Sequence, residues 1–101
     1  MNDPDAYREQ VDTVFQVEHQ AGPVPLRLAE VADQGTGGGF QQFSLFFHGP
    51  ADRLLPQGTY AMRHDALGTL ALFIVPIVGS NAERIIYQAA FSRLITAPKT
   101  A

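Results

Sequence analysis

The stretch Thr69-Leu70-Ala71-Leu72-Phe73-Ile74-Val75-Pro76-Ile77-Val78 decides the fold, because it holds the longest apolar run of the chain, Leu70 to Val78. That run is far below the ~20 residues a membrane-spanning helix requires. It is apolar in both phases of a two-residue repeat. A strand of that kind is normally covered on both faces, which predicts the centre of a sheet up to Pro76. The proline has no amide to donate and marks where ladder pairing ends.

Working outward, Asp65 to Gly68 is a turn, and Thr59 to His64 alternates Tyr60 and Met62 against Ala61 and Arg63, a half-buried strand. Gly79-Ser80-Asn81 is the turn on the other side. Residues 82–94 admit two patterns. Ile85, Tyr87, Ala89 and Phe91 alternate as in a strand, whereas Ser80 and Glu83 stand at capping-box spacing and Ile85, Ile86, Ala89 and Ala90 form a helical stripe. The local run Ile85-Ile86-Tyr87 favours the strand. Phe40 to His48 is another strand, with Phe43, Leu45 and Phe47 on one face and Ser44, Phe46 and His48 on the other. Gly49-Pro50-Ala51-Asp52 is a turn, and the prolines and glycines up to Gly58 make the stretch after it irregular.

Nearer the N-terminus, Phe15 and Val17 alternate with Gln16 and Glu18 in a strand from Val14 to His19, and Ala21-Gly22-Pro23 turns the chain. Val24, Leu26 and Leu28 define the next strand, in which Pro25 favours an edge position. After Glu30 the apolar phase slips to Val31, as a β-bulge would make it. Asp33 to Gly39 is predicted as a flexible loop. Asp3 and Pro4 suit the cap and first turn of a short helix over residues 3–11, with Tyr7 and Val11 on one face. The tail from Thr96 is expected to fray. With no repeats, heptads or linker, the chain reads as one domain over 1–101, ordered from about 5 to 95. The predicted fold is a compact antiparallel β barrel or two-layer sandwich of roughly five to seven strands with a short N-terminal helix.

Charged residues make up 17% of the 101 residues and hydrophobic ones 46%, so the surface has few charges to spare and some apolar area is expected against another chain. The seven basic residues are scattered and the net charge is −3, which argues against phosphate neutralisation and against a basic membrane-surface helix. The absence of cysteine removes disulfides, zinc–thiolate sites and thiol nucleophiles. The acidic, polar start Met1-Asn2-Asp3-Pro4-Asp5 is unlike a secretory leader, and a cytoplasmic location is expected.

No constellation reaches a credible active site. His19, His48 and His64 lack close metal-ligand spacing, so each is read as a locally bonded strand-end or turn histidine. The Gly35–Gly39 run has no following lysine to make a phosphate loop. Ser44, His64 and Asp65 have no nucleophile-elbow context, and adjacent strand residues point apart. Asp3 and Asp5 are accounted for by a helix start. No catalytic, metal-ligating or cofactor-binding residue is therefore assigned, and no cofactor is expected. The aromatics are concentrated in predicted strands and read mainly as core. Phe46 and Phe73 point away from the main apolar face of their strands and need cover.

Phe43-Ser44-Leu45-Phe46-Phe47-His48-Gly49-Pro50, Leu55-Pro56-Gln57-Gly58-Thr59-Tyr60, His64-Asp65-Ala66-Leu67-Gly68, Leu72-Phe73-Ile74-Val75-Pro76 and Tyr87-Gln88-Ala89-Ala90-Phe91, taken in order, resemble a bacterial family of uncharacterised domains catalogued as domain of unknown function 6916. The resemblance implies a strand near the end of the chain and a small stand-alone bacterial protein. It supplies no activity, cofactor or catalytic residue. Through an association with phage-tail-collar-like proteins, it implies an accessory or assembly role in a fibre- or tail-like system.

The function expected is that of a soluble, non-enzymatic interaction or assembly protein, with a protein partner or a second copy as a homodimer, and with neither nucleic acid nor membrane. The expected contacts are Phe46, Phe73 and the loop over 49–57 with Gly49, Pro50, Asp52 and Arg53. The alternative is a small-molecule-binding barrel with Tyr60, His64 and Tyr87 as polar groups in an apolar cavity. A third is an enzyme with a His-based or metal site.

Overall fold

A computed structural model describes residues 4–37, 40–77 and 84–94, and within these nothing is stated of the side chains of residues 34, 36, 37, 40, 41 and 92–94. The chain folds as α1 (Pro4–Arg8), β1 (Val14–Val17), β2 (Val24–Gly37), β3 (Phe40–Pro50), β4 (Gly58–His64), β5 (Gly68–Pro76) and β6 (Arg84–Leu94). The strands close into an antiparallel barrel in the order β1-β2-β3-β6-β5-β4, with β4 returning to β1. Of the two predicted architectures the barrel is the one adopted. Residues 84–94 are strand, paired with β3 from Phe40↔Leu94 to Pro50↔Arg84. The predicted turn at Gly79-Ser80-Asn81, the Asp3 cap and the tail from Thr96 lie outside the described residues.

Closure follows from which face each strand buries. Phe15 and Val17 of β1, Val24, Leu26 and Leu28 of β2, Phe43, Leu45 and Phe47 of β3, Met62 of β4, Leu72 and Ile74 of β5, and Ile85, Tyr87 and Ala89 of β6 all point inward and are buried. Burying one large apolar side chain stabilises by roughly 1.5–3 kcal/mol, so the barrel interior is the main source of stability. Phe15 meets Phe47 edge-on at 5.2 Å, and Phe43 stacks on Phe91 at 4.7 Å, both favoured ring geometries.

The phase slip in β2 is a bulge. Leu28 pairs with Phe47 but Glu30 pairs with Phe46, so Ala29 is the extra residue. Before it the even residues face inward; after it Val31 is the residue opposite Leu45 and packs on the core. The expected loop from Asp33 is instead strand up to Gly37. The polar and glycine-rich composition is accommodated by a second irregularity between Asp33 and Thr36, where Gly35 has φ 84° and its N–H donates to Asp33 Oδ1 at 2.8 Å. That bond holds the Asp33 carboxyl below its ordinary pKa. The long partner β3 provides the ladder that propensity alone did not predict.

Three further expectations change. The helix is shorter than 3–11, ending at Arg8. Asp12 takes φ 73° and its N–H donates to Leu28 O at 2.7 Å, which draws residues 9–13 into turns against β2. Pro25 is not on an edge strand, because β2 lies between β1 and β3; it precedes the β2–β3 ladder, which begins at Arg27↔His48, so its missing donor costs that ladder nothing. Strand β5 is not a sheet centre covered on both faces. Its inner face is buried, but Ala71 is exposed and Phe73 is 51% exposed on the outside.

The two barrel ends are stoppered differently. At one end Tyr7 of α1 enters the core between Phe43 and Phe91, with ring centroids at 6.2 and 5.7 Å. The hydroxyl of Tyr7 is buried with no hydrogen-bond partner among the described residues, and burial raises its pKa. Arg8 ties the helix to β2 through Asp33 at 3.2 Å. At the other end the segment between β3 and β4 folds inward on Leu55, which is 1% exposed and whose N–H donates to the buried Tyr87 Oη at 2.9 Å.

Candidate interaction surface and the cleft at its side

The outward residues of β3, β6 and β5 fall into register rows. Glu30, Phe46, Gln88 and Val75 form one, and Arg27, His48, Ile86 and Ile77 the next, with the Ile77 N–H donating to Ile86 O at 2.9 Å. Phe46, Val75, Ile77 and Ile86 are half-buried with no described strand outside them, and Phe73 extends the patch along β5. Behind it Gln88 Nε2 donates to Ser44 Oγ at 3.0 Å, so the small, buried Ser44 is fixed by its neighbour. The rim is charged, with Glu30 in the first row and Arg27 in the second. Arg27 bonds Asp12 at 2.8 Å and His48 Nδ1 at 3.1 Å. Desolvation, then the positive charges of Arg84 and Arg27, lower the His48 pKa, so the ring is held neutral below its ordinary range.

The other expected contact residues have mixed fates. Gly49 is buried where a Cβ would lie 2.6 Å from Leu26 Cδ2 and 3.1 Å from Tyr87 Cε2, so its role there is close packing of β3 on the core. Pro50 is half-buried at the end of β3, and Asp52 is exposed. Arg53 reaches across the barrel mouth to the carbonyls of Gly22 and Pro23 at 2.8 and 3.1 Å, which anchors the segment. Leu54 is the exposed apolar residue of this segment, at 59%. It was missed in the sequence because nothing there separates it from the buried Leu55 beside it.

Tyr60, His64 and Tyr87 do not converge. Tyr60 and Tyr87 are neighbours at the Leu55 end, where Tyr60 Oη donates to Pro56 O at 2.6 Å. Burial raises the Tyr87 pKa, opposed by the Leu55 N–H. His64 stands at the far end of β4. Its Nδ1 accepts the N–H groups of Ala66 and Leu67 at 3.0 and 3.2 Å. That places the ring proton on Nε2, 2.7 Å from Thr13 Oγ1, which in turn donates to Gln10 O at 2.6 Å. The ring also packs on Phe15 at 4.4 Å. These bonds hold the β4–β5 turn against the start of β1. Beside it opens a cleft of about 740 Å³ lined by polar side chains including Gln10, Gln16, Arg63, Asp65 and Thr69. Arg63 is already paired with Glu18 at 3.1 Å.

His19 sits in the β1–β2 turn, its Nδ1 accepting from Ala21 N–H at 3.2 Å, so the three histidines occupy separate places, and no group of three or more His, Cys, Asp or Glu comes together among the described residues. No helix among them is long and apolar enough to cross a membrane.

Closed six-stranded antiparallel barrel, helical stopper and apolar outer wall define a small β-barrel domain. The chain belongs to the family described as Domain of unknown function (DUF6916), whose family model matches residues 3–91. Neither the curated proteins nor the solved structures give a match.

Proposed function

We propose that this protein is a non-enzymatic interaction or assembly module that docks another protein chain on the outer wall of β3, β6 and β5. The observation that carries this is the contiguous apolar patch of Phe46, Val75, Ile77 and Ile86 on the outer wall, continued by a half-exposed Phe73. The patch is bordered by charges of both signs, Glu30 beside Phe46 and the Arg27–Asp12 pair beside His48, so its apolar side chains rather than a net charge set what it takes. The groups with the greatest chemical potential support the same reading, since His64, Tyr60, Tyr87 and Arg53 are each spent on holding turns and loops. The kind of system that fits is a multi-protein assembly such as a fibre- or tail-like structure.

The test is affinity capture from the native host with the full chain and with Phe46→Ser and Val75→Ser variants, each checked for folding by circular dichroism. A specific protein retained by the unaltered chain and lost by both variants is the expected result. Equal capture by the variants would remove the patch from the contact. The cleft beside His64 favours a second reading, a small polar ligand, and heat on titration with that cleft intact but not after Arg63→Ala would support it.

A further inference from the structure

The seam between β5 and β6 is only partly zipped. Its registered pairs are Val75↔Gln88 and Pro76↔Tyr87, although β5 continues back to Gly68 and β6 forward to Leu94. Two hydrogen bonds fix which backbone groups are left over. Ile77 N–H reaches Ile86 O, so the odd residues of β5 aim their backbone groups at the β6 side. Independently, Glu18 N–H reaches Ala61 O across the β1–β4 seam, so Ala61 turns its backbone away from β5, and its partner Ala71 turns away from β4. Both observations give the same phase. Thr69, Ala71 and Phe73 therefore aim their N–H and C=O groups at the β6 side of the seam, where they have no registered partner among the described residues.

An open edge is ordinarily guarded by charge, proline or a bulge. Thr69-Leu70-Ala71-Leu72-Phe73 has none of these, and Thr69, Ala71 and Phe73 are exposed. The segment is also self-complementary. Turned through a two-fold axis at Ala71, it sets Ala71 opposite Ala71, Leu70 opposite Leu72, and Phe73 opposite Thr69. An aromatic facing a β-branched residue is a favourable cross-strand pair, and alanine on the axis keeps side chains from colliding.

From this edge we infer that the protein forms a homodimer by antiparallel pairing of β5 with β5 of a second copy about Ala71. The three pairs at 69, 71 and 73 exchange about six backbone hydrogen bonds. The half-exposed Phe73 of each copy is covered by Thr69 and Ala71 of the other. The contact goes beyond the partner proposed for the outer wall, because it is made by the backbone of an edge and occupied by the same chain.

The experiment measures mass by light scattering and sedimentation velocity on the full chain. Ala71→Lys places two ammonium groups on the axis and removes no β4–β5 hydrogen bond, since Ala61↔Ala71 is a pair without one. The chain has no cysteine, so Ala71→Cys reports proximity directly, with Ala61→Cys, exposed on the neighbouring strand, as control. The expected result is a mass twice the monomer for the unaltered chain, a folded monomer for A71K, and a reducible disulfide dimer from A71C but not from A61C. A monomer at every concentration, a dimer unaffected by A71K, or equal cross-linking of A71C and A61C overturns the inference. Capture lost through Phe46→Ser with the A71K-sensitive dimer intact separates this contact from the outer-wall site. Capture that persists while the unaltered chain is monomeric overturns the dimer alone.

Discussion

Replacing Tyr87 by Phe tests whether the segment carrying Leu55 is a structural stopper of the barrel. The substitution removes one oxygen and leaves the ring. The Leu55 N–H, which donates to that oxygen at 2.9 Å in a buried setting, then has two options. It can stay unpaired, at about 1–3 kcal/mol for a buried orphaned donor. Alternatively the segment lifts to reach water, forfeiting the burial of Leu55, worth roughly 1.5–3 kcal/mol. The chain takes the cheaper course, so the loss is bounded near ~3 kcal/mol by either route. In a domain of this size each kcal/mol lowers the melting temperature by about 4–8 °C. Urea unfolding followed by circular dichroism should show a lower midpoint with an unchanged slope, and amide exchange at Leu55 should accelerate more than at residues of β3. Leu55→Ala, a buried truncation, should cost about 2–5 kcal/mol. A Tyr87→Phe midpoint equal to the parent, with Leu55 still protected, would refute the assignment of that hydroxyl as the acceptor on which the stopper depends.

The remaining predictions concern packing, turn geometry and pH. Gly49→Ala places a methyl 2.6 Å from Leu26 Cδ2 and should destabilise by about 1–3 kcal/mol in urea unfolding, with Gly49→Leu failing to fold. Thr13→Val removes the acceptor of the His64 Nε2 proton and should cost about 1 kcal/mol, and a double-mutant cycle with His64→Phe should show the two are coupled. His48 has a pKa below its ordinary value in the folded state, so the unfolded chain binds the extra proton first. Stability should therefore hold above about pH 6.5, fall as pH drops from there to the folded pKa, and then level off from this group, with the slope reduced in His48→Gln. Phe73→Ser, at a half-exposed outer position, should change the monomer's stability by under ~0.5 kcal/mol.

The alternations of Phe15/Val17, Val24/Leu26/Leu28 and Phe43/Leu45/Phe47 made the strands and their inner faces legible, because a period of two is imposed by the backbone itself. The slip after Glu30 was visible for the same reason: a bulge adds one residue and inverts the phase. Phe46 and Phe73 could be named as outward from their phase alone, and both are. What the pattern could not carry was anything set by contacts across the barrel. Asp33 to Gly37 is polar and glycine-containing, yet pairing with the long strand β3 holds it as strand. Leu54 and Leu55 are identical in type and adjacent, and the Tyr87 hydroxyl decides which one is buried.

Sequence by itself determined the class of fold, the inward set of each strand and the identity of the unshielded aromatics, since these depend on local backbone periodicity and side-chain polarity. Only the tertiary structure decided barrel over sandwich, the separation of Tyr60 and Tyr87 from His64, and the half-zipped β5–β6 seam. Those depend on which strands become neighbours and in what register, and pairing energies between residues far apart in the chain leave no periodic trace along it.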